Sequence, residues 1–293
     1  LLIAKVFGRK PQMHGLIFVT WEKYLSERFS GALLKDYRAA IGETAATSPL
    51  ASRTYSDEVL LAGVQAACQL TGLPLDTLLW EYGRYFMING LTGHLCAYLL
   101  TKAKDGRELL LMMRQAHAQM RRLPDGLTPP LFAYQAISDS RNDLALLYDS
   151  PRRLCALLWG AIEGAALRYG QRIRITEVSC MKQGAPVCRF EIHFSVPISK
   201  PLEILETPEQ IARRTNQQQL ANLVLSVLPT EYGLTLVELQ EHLRIWEVGP
   251  QQVRPAILLE ALRHLQHAGL VSSTANQPGD NLANRRYWRT PTE

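Results

Sequence analysis

His117 stands on the apolar face of a helical pattern. Leu109, Leu110, Met113, Ala116, His117 and Met120 recur at three- and four-residue steps over 106–122, while Arg114, Arg121 and Arg122 fall elsewhere. A lone imidazole in such a place either packs as a core residue or offers a ring nitrogen to a metal. Further along, Tyr148, Ser150 and Arg152 alternate in an extended segment, which turns a phenol, a hydroxyl and a guanidinium to one side. Arginine binds carboxylates through bidentate, charge-assisted hydrogen bonds, so the triplet reads as a carboxylate fork; the plainer alternative is a solvated strand end. An imidazole for iron and a fork for two propionates together describe a b-type haem. Cysteine is sparse and odd in number (Cys68, Cys96, Cys155, Cys180, Cys188) with no secretory pattern ahead of it. Such usage points to a reducing cytoplasm and to thiols or a metal site in preference to structural disulfides.

The elements that must position these groups are legible in outline. Twelve residues, Leu1–Gln12, read as a tag or upstream extension, with Met13 as the expected start. Helical periods follow over 21–29, from Ser56 through Cys68, and from Asp76 to Met87. The proline-rich stretch Pro124–Pro130 must end the His117 helix. A strand is expected over Leu144–Tyr148 and a helix over Pro151–Tyr169. Ile173–Cys180 and Cys188–Val196 then form a hairpin through Lys182–Pro186, with Ile173, Ile175 and Glu177 facing Phe190, Ile192 and Phe194. Pro197–Pro208 reads as a linker. Beyond it come helices over Glu209–Val227, Leu236–Leu243 and Pro250–Ala268 and a short hairpin ending at 286–289, the order of a winged helix-turn-helix. The fold class is therefore α+β: a helical first half with a small antiparallel sheet, then a winged helix.

Composition supports this division. The chain has 293 residues, 47% hydrophobic and 20% charged, with a net charge of +5, which excludes disorder, collagen and disulfide miniproteins. No apolar run approaches the ~20 residues of a membrane span. Residues 1–200 carry +7 and residues 201–293 carry −2, so the last part lacks the overall basic balance usual for binding phosphates.

From Met13 to about Val196 the chain resembles the haem nitric oxide/oxygen binding (H-NOX) family. The resemblance rests on the opening Met13–Trp21, His117, the Pro129-Pro130 pair thirteen residues later, Tyr148-x-Ser150-x-Arg152, and the closing Ile175–Glu191 with Cys180 and Cys188. It implies a haem-binding sensor domain over 13–197, with His117 as axial ligand and Tyr148, Ser150 and Arg152 on the propionates. Pro130 would press on the macrocycle, though it also serves as a helix stop. Oxygen-binding members place a tyrosine five residues after the motif's arginine and a polar partner on the distal side; Leu157 and Phe86 stand there. The resemblance thus implies nitric oxide and carbon monoxide as ligands in preference to oxygen. Trp21 would shape the distal side, or is simply core.

The same resemblance bears on the cysteines. One branch of the family binds zinc through three cysteines and a histidine; Cys155, Cys180 and Cys188 match, and Glu177 replaces the histidine. A Cys3Glu zinc site, a reversible disulfide and three inert buried thiols are the alternatives. The implied activity is sensing without turnover: release of the His117–iron bond would be passed across the 198–208 linker to a winged helix over 209–293. Its partner would be DNA, reached through Arg285, Arg286 and Arg289, or a signalling protein. A different tetrapyrrole or small apolar ligand is the further alternative, disfavoured by the complete set of haem residues. No membrane partner is expected.

Overall fold

The computed structural model describes residues 11–44, 48–50, 53–89, 103–121, 127–140, 142–195, 208–246, 248–251, 253–274 and 279–290. The chain forms two units, one up to Leu78 together with Pro124–Thr128, the other from Leu79–Leu123 and from Pro129 onward. In the first unit, β1 (Gln12–His14) and β2 (Thr54–Ser56) pair antiparallel, and α1 (Gly15–Arg28), α2 (Gly31–Ala40) and α3 (Asp57–Thr71) complete it. Each helix start is satisfied locally: His14 Nδ1, Ser30 Oγ and Ser56 Oγ accept the Leu16, Leu33 and Glu58 amides, which a first helical turn otherwise leaves unbonded. A Cβ at Gly15 would lie 2.0 Å from the Leu50 carbonyl oxygen, so glycine is what lets α1 begin against that loop. Leu16, Trp21, Tyr24, Leu25, Leu60 and Val64 are its core. Gln12, the last residue of the expected extension, pairs with Ser56 in β1; residues 1–10 lie outside the described residues.

The second unit contains most of α4 (Leu75–Ile88), then α5 (Gly106–Met120), which carries His117, and α6 (Cys155–Arg168). Its four-stranded antiparallel sheet joins β3 (Leu131–Gln135), β4 (Asp143–Asp149), β5 (Ile173–Ser179) and β6 (Cys188–Phe194) in the order β3-β4-β6-β5. Ile173, Ile175 and Glu177 stand opposite Phe194, Ile192 and Phe190, in the register expected from their alternation. Phe190, Ile192 and Phe194 are buried, so one sheet face is covered.

Two expectations are corrected here. The helix foreseen from Pro151 begins only at Cys155, because Pro151–Leu154 form a turn in which Arg153 takes a positive φ of 50°. Strand β3 was not expected; it pairs along its whole length with β4.

α4 and α6 meet backbone to backbone. A Cβ at Gly83 would lie 2.0 Å from the Leu157 carbonyl oxygen, and one at Gly160 only 1.9 Å from that of Trp80. Glu163 accepts from both Trp80 Nε1 at 3.1 Å and Trp159 Nε1 at 2.9 Å.

The C-terminal elements are α7 (Pro208–Val227), β7 (Leu234–Thr235), α8 (Leu236–Ile245), α9 (Pro255–His267), β8 (Val271–Ser273) and β9 (Arg286–Arg289), with strand order β7-β9-β8. Leu220, Val224, Leu239, Leu243, Leu258, Leu262, Leu265, Val271 and Tyr287 form their shared core. Thr235 caps α8 in a reciprocal box with Glu238. α9 starts at Pro255 and not at Pro250, since proline suits the first helical position and disfavours helix in the residue before it. The expected linker Pro197–Pro208 lies outside the described residues except for Pro208. Among those described, no single helix is long and apolar enough to cross a membrane.

Candidate haem site and cysteine cluster

α5 is well specified at its start: Asp105 Oδ1 accepts the Glu108 amide at 2.7 Å, and buried Gln171 accepts the Gly106 amide at 2.8 Å. Near its other end His117 is half-buried, and its Nδ1 lies 2.9 Å from the Met113 carbonyl oxygen. A carbonyl oxygen only accepts, so Nδ1 carries the proton and Nε2 keeps its lone pair, the arrangement that orients and strengthens a histidine ligand. Dense apolar surroundings push the His117 pKa from 6.5 down to about 4, against the opposing effect of the Met113 carbonyl and with a smaller contribution from Arg121. The imidazole is therefore neutral at pH 7, as a metal ligand must be.

Opposite α5, the fork is partly as expected. Tyr148 lies in β4 and is buried, Ser150 follows one residue past the strand and is also buried. The Leu154 amide donates to the Tyr148 hydroxyl at 3.2 Å, leaving the phenolic proton to be given elsewhere. Burial raises the Tyr148 pKa to about 12, so it remains a donor. Arg152 departs from expectation: the extended run ends at Asp149, and Arg152 sits in the turn, its amide donating to Ser150 Oγ at 3.3 Å. The three belong to one strand-to-turn corner and do not alternate along a strand.

These groups fit a haem: a neutral imidazole whose Nδ1 is engaged by its own helix, and two buried hydroxyl groups with Arg152 in the turn that follows them. Pro130 directly precedes β3, whose Phe132 ring meets His117 edge-on at 5.0 Å and Tyr148 at 5.9 Å. Tyr134, two residues on, donates its hydroxyl to the Leu110 carbonyl of α5. Neither aromatic was singled out in the sequence; the only signal was the alternation of Phe132 and Tyr134 after the proline pair. Phe86 on α4 and Leu157 on α6 are both half-buried, and the Leu157 carbonyl lies against Gly83 at the α4–α6 crossing. Trp21 is fully buried in the first unit, 5.5 Å from Tyr24 and beside the Tyr37 hydroxyl, which is a core position.

The cysteines converge. Ligand atoms of Cys155, Glu177, Cys180 and Cys188 all lie within 4.8 Å of one another. The Sγ separations are 3.1 Å for Cys155–Cys188, 3.8 Å for Cys155–Cys180 and 4.0 Å for Cys180–Cys188. Glu177 Oε1 is buried, its carboxylate beside the Cys180 thiol, and the Met181 amide donates to Cys188 Sγ at 3.2 Å. A set of thiolates and a carboxylate of this kind can hold a tetrahedral zinc ion.

On the last hairpin the arginines are not equivalent. Arg285 forms a short ion pair with Asp280 at 2.5 Å, and Arg286 reaches Glu238 at 3.3 Å and the Gly233 carbonyl at 2.7 Å. Arg289 is exposed at the strand end.

The fold agrees with known proteins. It matches an H-NOX protein from S. oneidensis in the Fe(II)NO ligation state, at 23% identity and TM-score 0.56, over 63% of this chain and 100% of that one. It matches a point mutant of T. tengcongensis H-NOX at 20% identity and TM-score 0.56, covering 64% and 100%. A Shewanella oneidensis H-NOX domain in the Fe(II)CO ligation state aligns at 23% identity and TM-score 0.54, over 62% and 99%. No curated protein matches the chain. A haem-NO-binding family model matches residues 14–177, more than half of the chain. The chain belongs to the haem-NO-binding (H-NOX) family, a family of haem-based gas sensors.

Proposed function

We propose that this chain is a haem-based sensor that prefers nitric oxide and carbon monoxide over oxygen and reports through its C-terminal domain. The observation that carries the reading is the tethered, neutral His117, linked through the Phe132 ring to buried Tyr148: His117 would hold the iron, and Tyr148, Ser150 and Arg152 the propionates. Bound haem supplies an open coordination position for a diatomic gas. Leu157 and Phe86 offer no hydrogen-bond donor, and a polarised oxygen ligand needs one far more than nitric oxide does. Pro130 gives a rigid approach to the site. The chain performs no turnover; its output is a change in the position of α5 once His117 is released.

The sensor is taken to span 13–197, extended by the β1 residue Gln12, and the output 209–293. The C-terminal order of helices and its β7-β9-β8 sheet support a winged helix. α9 packs on α5, and Gly269 at the end of α9, with φ +76°, allows the Gln115 backbone to come within 3.2 Å of where a Cβ would stand. A contact two residues from His117 supports direct coupling. Transcription regulation through Arg285, Arg286 and Arg289 is the first reading of the output. A protein-binding adaptor is the second, favoured by the ion pairs that occupy Arg285 and Arg286 and by exposed Trp246 and Ile245, which are 60% and 76% accessible. The cysteine cluster is read as a zinc site with Glu177 as fourth ligand, and the absence of disulfides among the described cysteines supports a cytoplasmic protein. Absorption spectra of the ferrous protein under nitric oxide, carbon monoxide and air test the sensor reading. Adducts with the first two and none with oxygen are expected; a stable oxygen adduct contradicts the proposed pocket.

A further inference from the structure

We infer that β3 is a two-point restraint on the helix carrying His117, in which Phe132 orients the imidazole and Tyr134 holds the helix backbone. The inference rests on the reading of His117 as the iron ligand. Both side chains are on the same face of β3, half-buried, while Leu131, Ala133 and Gln135 between and beside them are exposed. Phe132 meets the His117 ring at 5.0 Å with an interplanar angle of 76°, an edge-to-face contact that hinders rotation of the imidazole. Tyr134 donates to the Leu110 carbonyl, about two helical turns before His117. Burial raises the Tyr134 pKa, so this donor persists at any working pH.

The strand itself cannot drift. Its five residues pair with β4, and Phe132 stands directly opposite Tyr148. The phenyl ring therefore meets both the His117 imidazole and the Tyr148 ring. Three freedoms of His117 are thereby limited by three different groups. The Met113 carbonyl fixes the ring relative to its own helix, Phe132 limits ring rotation, and Tyr134 limits travel of α5 away from the sheet. With haem bound, this restraint would keep His117 within reach of the iron, and loss of the Tyr134 hydrogen bond would let α5 move away more readily.

Phe132 and Tyr134 are positioning residues, tested with Tyr134→Phe, Phe132→Leu and the ring-preserving Phe132→Tyr. Tyr134→Phe should keep normal haem content, raise amide exchange in α5 around 110–114 but not in β5 or β6, and speed loss of His117 ligation after nitric oxide addition. The expected acceleration is about 2- to 10-fold, the range spanned by one neutral hydrogen bond. Phe132→Leu should shift the iron–histidine stretching mode of the ferrous protein, and Phe132→Tyr should restore it. Unchanged α5 exchange and unchanged detachment in a haem-replete Tyr134→Phe protein would overturn the inference, as would exchange raised uniformly across the unit. A wild-type haem spectrum independent of His117 would instead remove the sensor reading and this inference with it.

Discussion

Placing an alanine at Gly83 or Gly160 should separate α4 from α6. The new Cβ would lie 2.0 Å from the Leu157 carbonyl oxygen in one case and 1.9 Å from that of Trp80 in the other, whereas ordinary contact begins near 3.4 Å. The helices must then part locally by roughly 1.4 Å, because main-chain carbonyls cannot swing aside as a flexible side chain can. Overpacking of a closed core costs about 1–3 kcal/mol, and a clash with backbone belongs at the upper end. At ~2–4 °C per kcal/mol for a unit of this size, thermal unfolding should fall by about 6–12 °C. Since the Gly83 clash is with Leu157, the candidate distal wall moves as well, and carbon monoxide dissociation from the ferrous protein should change. Gly31→Ala is the control: nothing lies within 4 Å of its Cβ position. Differential scanning calorimetry and carbon monoxide displacement check both effects. Gly83→Ala and Gly160→Ala proteins that melt within 2 °C of wild type with unaltered gas kinetics would refute the close-packed crossing.

Three further outcomes follow from named groups. The folded His117 pKa of about 4 lies below its unfolded value of 6.5; its contribution to stability is therefore complete above pH 6.5 and is lost as pH falls through the interval to 4, at about 1.4 kcal/mol per pH unit. Urea unfolding of the haem-free protein at pH 7 and pH 5 should show that loss and His117→Gln should reduce it; equal slopes in both would contradict the burial argument. Metal analysis should find one zinc per chain, absent in Cys188→Ser and bound more weakly in Glu177→Gln, whereas metal-free protein with three independently reactive thiols would exclude the cluster as a site. Replacing Arg285, Arg286 and Arg289 by alanine should weaken DNA binding and flatten its salt dependence without altering the haem spectrum; no DNA affinity at low salt in either ligand state would pass the output to the adaptor reading.

What could be read in the chain beforehand depended on how local the cause was. The α5 pattern around His117 and the facing alternations of Ile173–Glu177 and Phe190–Phe194 follow from period alone, and both are found. Convergence of Cys155, Glu177, Cys180 and Cys188 came from the family pattern, and the start of α6 and the β5–β6 hairpin bring them together. Arg152 was misjudged because a positive φ at Arg153, a non-glycine residue, carries no sequence signal. β3 was missed because five residues offer only two aromatic positions of alternation. The close approaches at Gly83 and Gly160, and the ion pair of Arg286 with Glu238, depend on partners distant in sequence and are visible only in three dimensions.

The central claim is that His117 holds a haem iron through Nε2. The most direct measurement is the absorption spectrum of haem-loaded ferrous protein, wild type against His117→Gly, with and without added imidazole. Wild type should show a single histidine-ligated Soret band, His117→Gly should lose it, and free imidazole should restore it; a band that persists unchanged in His117→Gly, or a wild type that takes up no haem, would contradict the account.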